Sequence, residues 1–217
     1  MKYNKAFLYS IKENHVKKNS QEQLELLEDF KTRYANYRSN WVNSLKVKNL
    51  NKPLSIDIEL ASICDLACPH CSREYIVTPD KVMNMDLYKK IIDEISTMKV
   101  PSIKLNWRGE PLLHPNIFEC IDYAKQKGIL EVIINTNATS LTKKKSEELI
   151  DAGLDYIIYS FDGGSKTTYE KMRPGRFKKN AYKNVIENIR NFKKIKDKKN
   201  VKFPVTKIQM IMTSETR

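Results

Sequence analysis

No run of apolar residues in this sequence approaches the length of a membrane span, so no partnership with a membrane is expected. The N-terminus, MKYNKAFLYSIKENHVKK, lacks both an uninterrupted apolar stretch and a small-residue cleavage site. It does not read as a secretory signal, and a cytoplasmic protein is the expectation. Cysteine is scarce, four residues in 217. In a cytoplasmic chain, clustered cysteines point to metal or redox chemistry rather than to disulfides. Acidic residues fall short as well, 26 against 39 Lys and Arg, for a net charge of +13. Such a surface can attract nucleic acid, anionic lipid or a phosphorylated substrate. The lysines, however, lie in separate places (KKK at 143–145, KKIKDKKNVK at 193–202) without interleaved aromatics. They read as solvated helix faces, and nucleic acid is not the expected partner.

What is present suits one globular domain: 41% hydrophobic and 30% charged residues, in a chain long enough to enclose a full core. Residues 20–46 read as one helix, because Leu27, Phe30, Tyr34, Tyr37, Trp41 and Leu45 recur at three- and four-residue steps. Residues 1–50 are therefore expected to form an N-terminal helical extension, and 51–217 the core domain. From Ser55 the period changes. LSIDIEL alternates as a strand, and MDLYKKIIDEISTM follows as a helix with Leu87, Ile91, Ile92, Ile95 and Met98 on one face. The strands SIKLNW, LEVIINT, DYIIYSFDGG and TKIQMIM then alternate with the helices NIFECIDYAKQKG, KKKSEELIDAG and NAYKNVIENIRNFKK. Gly128 is placed as a helix stop.

Such alternation predicts a parallel sheet with helical crossovers, either doubly wound or barrel-like. Both architectures put their site beyond the carboxyl ends of the strands. Four loops fall there: the cysteine loop, RGEP, TNAT and SFDGG. The sequence stops at MIMTSETR, where a covering element would be expected, so a chain with a missing remainder is the expectation.

Three of the four cysteines, Cys64, Cys68 and Cys71, crowd into one loop as C-x3-C-x2-C. Thiolates suit zinc, Cu(I) or iron–sulfur clusters. Structural zinc and ferredoxin-type clusters take four protein ligands, whereas three leave an open position for a substrate or cofactor. The alternatives are a Cys3His zinc site completed by His70 or His114, or three structural thiols. A zinc site would make the chain a basic binding module. Cys120 shares a helical face with Ile117, Ile121 and Ala124 and reads as a buried hydrophobe.

Over residues 55–212 the chain resembles the radical S-adenosylmethionine (radical SAM) superfamily, in particular members with a C-terminal SPASM or twitch domain. The resemblance implies a partial (β/α)6 barrel, here lacking its sixth unit. It also implies a [4Fe–4S] cluster held by Cys64, Cys68 and Cys71, with S-adenosylmethionine on the open iron. Reductive cleavage would give a 5′-deoxyadenosyl radical that abstracts hydrogen from a peptide, sugar or small-molecule substrate. An external flavodoxin- or ferredoxin-type electron donor follows from the same resemblance. NWRGEP resembles the family's Gly-Gly-Glu segment, with Arg108 at its first glycine; it implies that Gly109 allows close approach of the ligand and that Glu110 accepts from its amino group. NTNAT resembles the Thr-Asn-Gly stretch, with Ala138 at the glycine and Asn137 as a cofactor contact or turn former. Ser160 stands where the ribose is contacted. Arg173, ahead of Arg176, is the candidate for the methionine carboxylate. Asp162 beside Gly163 is expected only to shape a turn, and Gln209 is a weaker candidate. His70 stands where an aromatic residue usually packs near adenine. A truncated member that keeps the cluster without turnover is the remaining alternative.

Overall fold

The computed structural model describes residues 21–44, 46, 51–76, 79–176, 181–214 and 216. The reading of residues 1–18 and the Leu45 position lie outside these, as does the side chain of Leu27. Among the described residues, five short parallel strands form one sheet: β1 (Ser55–Asp57), β2 (Ser102–Lys104), β3 (Glu131–Thr136), β4 (Tyr156–Ser160) and β5 (Val205–Gln209). Their spatial order follows the sequence, β1-β2-β3-β4-β5. The registers run Ile56 to Ile103, Ile103 to Val132, Ile134 to Ile157 and Ile157 to Thr206. A doubly wound sheet reverses its order at a switch point, and this one does not. The periodicity left two architectures open; the strand order selects barrel-type winding.

The crossovers are α1 (Gln21–Asn43, preceding the sheet), α2 (Met85–Thr97), α3 (Ile117–Gln126), α4 (Lys143–Asp151), α5 (Lys166–Met172) and α6 (Tyr182–Lys199). Side-chain caps start three of them. Asn84 accepts from Leu87 N–H, Thr142 from Lys145 N–H and Ser165 from Thr168 N–H, each satisfying an orphan donor of the first turn. Gly128 ends α3 at φ +82°, as its position predicts. The face of α2 differs from expectation. Tyr88, Ile92 and Ile95 are buried, while Leu87 and Met98 are about half exposed. Tyr88 turns inward because its hydroxyl finds the Cys120 carbonyl at 2.8 Å. Cys120 itself is fully buried with Ile117, Ile121 and Ala124, as its spacing implies.

Strand residues Ile103, Val132, Ile134 and Ile157, with Leu105 just past β2, meet these helices in one continuous core. Two polar constructions close its amino-terminal end. Lys125 and Asp155, both buried, pair at 2.8 Å; Lys125 also donates to Leu130 O and Asp155 accepts from Val132 N–H. Helix α1 docks there too: Phe30 and Tyr37 are buried, and the Tyr34 and Tyr37 hydroxyls donate to the buried Glu131 carboxylate. Trp41, expected on the same stripe, is 46% exposed. No helix among the described residues is long and apolar enough to cross a membrane.

Candidate functional site

With the amino-terminal end occupied by α1 and the buried ion pair, the opposite rim carries the cysteine loop and the other candidate residues. The segment after β1 leads into the cysteine loop, which is braced from both sides. On one side residues 79–83 fold back antiparallel: Ser62 N–H donates to Lys81 O, Met83 N–H to Leu60 O, and Ala61 bridges Val82. On the other side, the segment that follows α5 pairs with the loop itself. Ala67 N–H donates to Pro174 O, Arg176 N–H to Asp65 O, and Leu66 bridges Gly175. Within the loop, Cys71 N–H donates to Cys68 O. All three thiols are free; Cys68 is buried, and Cys64 and Cys71 are partly buried. Burial pushes the Cys64 thiol up to about 12 and the Cys68 thiol up to about 11; for Cys68 the nearby Arg173 guanidinium works in the opposite sense.

The RGEP and TNAT loops are locked to this one. Gly109 has φ +51°, and a Cβ there would lie 2.0 Å from the Ala61 carbonyl oxygen. The close approach that needs glycine is thus to the backbone entering the cysteine loop. Glu110 is buried and ties three strand ends together. Its N–H donates to Ile63 O; Oε1 accepts from Leu112 N–H and the Thr136 hydroxyl, and Oε2 from Asn137 N–H. Burial raises its carboxyl to about 7 against the pull of those three donors. Asn137 faces the cysteine loop. Its Nδ2 donates to Asp65 Oδ1 at 2.7 Å and lies 3.8 Å from Cys64 Sγ. Ala138 takes the left-handed conformation, φ +60°, which accounts for glycine being usual at that place. Arg108 is not directed at a ligand: Glu59 holds it in a two-point pair and it stacks on Trp107.

Asp162, expected to do no more than shape a turn, is a fully buried charge. Its Oδ1 accepts from Ile211 N–H at 2.7 Å, beyond the end of β5. Its Oδ2 lies 2.8 Å from Arg173 Nη2 and 3.3 Å from His70 Nε2, as charge contacts rather than aligned hydrogen bonds. This hub connects the cysteine loop, the end of α5 and the chain after β5. Ser160 is the last residue of β4, in register with Gln209, whose amide oxygen meets Asn135 Nδ2. Arg176 is committed to Asp80, which also pairs with Arg73.

Asp65, Asp162, Asp80 and Glu59 are the functional-rim residues that sequence reasoning missed. Asp65 alone carried a signal, as an acid directly beside Cys64.

The donor set suits an iron–sulfur cluster with an anionic ligand. Three free thiols share one loop, N–H groups of Leu66 and Asn137 reach the Cys64 sulfur, and Arg173 stands beside Cys68. Arg173 Nε and His70 Nδ1 are among the buried donor-capable atoms that have no hydrogen-bond partner in the protein, which leaves them able to meet a polar ligand. The zinc alternative through His114 is not built. Its Nε2 meets Met83 O at 2.8 Å and its Nδ1 accepts from Asn116 N–H, so both ring nitrogens are occupied. His70 faces Asp162 instead. Among the described residues, no three His, Cys, Asp or Glu side chains are grouped to hold a single metal ion.

The model of the Radical SAM superfamily matches residues 58–215. Among curated proteins, the AdoMet-dependent heme synthase of Methanosarcina barkeri is 35% identical over 132 residues, covering 59% of this chain and 37% of that protein. The PqqA peptide cyclase of Bradyrhizobium diazoefficiens is 29% identical, covering 62% and 34%. The probable GTP 3′,8-cyclase of Methanothermobacter marburgensis is 34% identical, covering 56% and 39%. The matches thus span only about a third of the relatives' own lengths. Similar solved structures include anSMEcpe with bound AdoMet, at TM-score 0.63 and 20% identity, covering 76% of this chain and 45% of that one. Streptococcus suis SuiB bound to its precursor peptide SuiA gives 0.61 and 16%, covering 92% and 41%. At these identities the structures report the fold.

Proposed function

The chain belongs to the radical SAM superfamily, and from that premise we propose that it is the cofactor-binding core of an enzyme that cleaves S-adenosylmethionine reductively. The thiolates of Cys64, Cys68 and Cys71 would hold three irons of a [4Fe–4S] cluster. When bound, that cluster supplies one electron to the sulfonium of S-adenosylmethionine at its open iron, for hydrogen-atom abstraction from substrate. The observation that carries the reading is the junction of the cysteine loop with the ends of β2, β3 and β4, made by Glu110, Asn137 and the Asp162–Arg173 pair.

Each residue then has a stated task. Arg173, aimed by Asp162, presents its unpartnered Nε to the methionine carboxylate, which suits a planar guanidinium. His70, beside the third cysteine and held by the same carboxylate, would be available to the adenine. Glu110 keeps one lone pair of Oε2 for the amino group, and Ser160 offers its hydroxyl at the end of β4. Gly109 seats the RGEP loop against the backbone of 61–63, so that Glu110 reaches this place. Residues 51–217 would be the core and 1–50 an N-terminal extension, of which α1 braces the closed end. The substrate is a peptide or small molecule, and the electron comes from an external flavodoxin- or ferredoxin-type protein.

Iron and sulfide analysis of anaerobically reconstituted protein, with Cys68→Ala as control, tests the reading. About four irons per chain are expected, with broad visible absorption that Cys68→Ala abolishes. A colourless chain under those conditions would remove it.

A further inference from the structure

Asn137 is held in an orientation that binding S-adenosylmethionine does not demand. Its Oδ1 accepts from the Thr139 N–H at 2.9 Å. A backbone N–H can only donate, so the amide cannot turn over, and its NH2 must face the other way. There one N–H reaches Asp65 Oδ1 at 2.7 Å and the other is directed at Cys64 Sγ, 3.8 Å away. The Asn137 backbone is fixed in turn by its own N–H to Glu110 Oε2 at 2.8 Å. The Cys64 sulfur also takes the Leu66 N–H at 3.5 Å.

The neighbouring carboxylate is managed by the same turn. Asp65 follows Cys64 directly, and a free negative charge there would work against any electron placed nearby. Its Oδ1 is occupied by Asn137 and its Oδ2 by the Thr139 hydroxyl. The 137–139 turn therefore does two things at once: it points a donor at a sulfur, and it engages both oxygens of the adjacent acid.

We propose that Asn137 is a positioning residue that acts through Cys64, raising the reduction potential of the bound cluster by donating an N–H to that sulfur. The inference rests on the reading above that Cys64 is a cluster thiolate. An N–H on a ligating sulfur draws off negative charge. The reduced cluster carries one more negative charge than the oxidised one and gains more from the bond, so the couple moves to higher potential. Without the bond, the same electron is harder to add.

The test is a redox titration of the reconstituted protein, poised with dithionite and mediators and followed by electron paramagnetic resonance. Wild type is compared with Asn137→Asp and Asn137→Ser. Asn137→Asp keeps the acceptor toward Thr139, removes the donor and adds a charge beside Asp65. Asn137→Ser removes the donor without the charge and serves where the acid folds poorly. Iron and sulfide contents equal to wild type are expected in both, with midpoints shifted to more negative potential, furthest for Asn137→Asp. Normal iron content with an unchanged or more positive midpoint would overturn the inference. A loss of S-adenosylmethionine affinity at an unchanged midpoint overturns it too, and makes Asn137 a direct cofactor contact. Failure of the wild type to take up iron removes the proposed function, and this inference with it.

Discussion

Glu110 sits among donors only: two backbone N–H groups and the Thr136 hydroxyl. Those bonds favour its charged form, but burial favours the neutral one and outweighs them, raising the carboxyl from 4.5 to about 7. Below pH 4.5 the group is protonated whether the chain is folded or not. Between pH 4.5 and about 7 the unfolded chain releases its proton while the folded one keeps it, so stability falls as pH rises through that window. The full difference amounts to roughly 3 kcal/mol. Urea denaturation of wild type and Glu110→Gln across this range should show wild type losing more stability with rising pH; parallel curves would contradict the assignment. Gly109 makes a sharper case. Alanine there would be strained at φ +51° and would drive its Cβ into the Ala61 carbonyl. Gly109→Ala should cost about 2–5 kcal/mol by thermal unfolding. That Gly109 and Glu110 would lie on the rim was legible from the order of the motifs. Their partners were not, because a sequence does not say which backbone a left-handed turn will lie against. Asp162 shows the same limit: Asp-Gly-Gly reads as a turn, and only the arrival of His70, Arg173 and Ile211 makes it a buried hub.

Helices with one clear apolar stripe were readable as elements, and their packing faces were less so. Helix α2 was located by its period, but its face is centred on Tyr88, a residue left off the expected stripe and one that burial admits once its hydroxyl is paired. The seven-residue α5 went unseen because so short a segment has too few turns to show a period; its Ser165 cap was the available signal. Helix α1 was evident as a helix, though nothing in its stripe named Glu131 as its anchor. The docking of that element depends on two tyrosine hydroxyls shared by one buried carboxylate. Tyr37→Phe keeps the ring and deletes one donor, so it should destabilise the fold by about 1.5–3 kcal/mol, the range for a hydrogen bond to a charged group. Glu131→Gln in the Tyr37→Phe background should then cost less than it does alone, measured as a double-mutant cycle in guanidinium. Additive costs would mean that the Tyr37–Glu131 bond does not hold α1.

Across the whole molecule, polar side chains are divided between the two ends of the sheet. The amino-terminal end carries Lys125–Asp155 and the tyrosine–Glu131 contacts, while the carboxyl end carries the cysteine loop, Glu110, Asn137 and the Asp162 hub. Barrel-type winding produces this division, since every crossover returns the chain to the same rim. The alternation of strands and helices made the rim legible before any contact was known. The strand order was not legible, because periodicity says nothing about which strands become neighbours. If the division is functional as well as geometric, a buried carboxylate from each end, Asp155 and Asp162, should separate in their effects. Asp155→Ala leaves the Lys125 ammonium buried without its counter-charge, and should cost about 3–5 kcal/mol. Lys125→Met with Asp155→Leu removes both charges and fills the space, so it should recover most of that loss. In both variants the iron content per folded chain should match wild type, because the pair sits at the end of the sheet opposite the cysteine loop. Asp162→Asn should do the converse: folded protein with wild-type iron content, but weaker binding of S-adenosylmethionine, because Arg173 and His70 lose the charge that aims them. Denaturation midpoints, iron analysis and equilibrium binding of S-adenosylmethionine separate the two cases. If Asp155→Ala lowered the iron content per folded chain, or weakened S-adenosylmethionine binding as Asp162→Asn does, the ends of the sheet would not be independent.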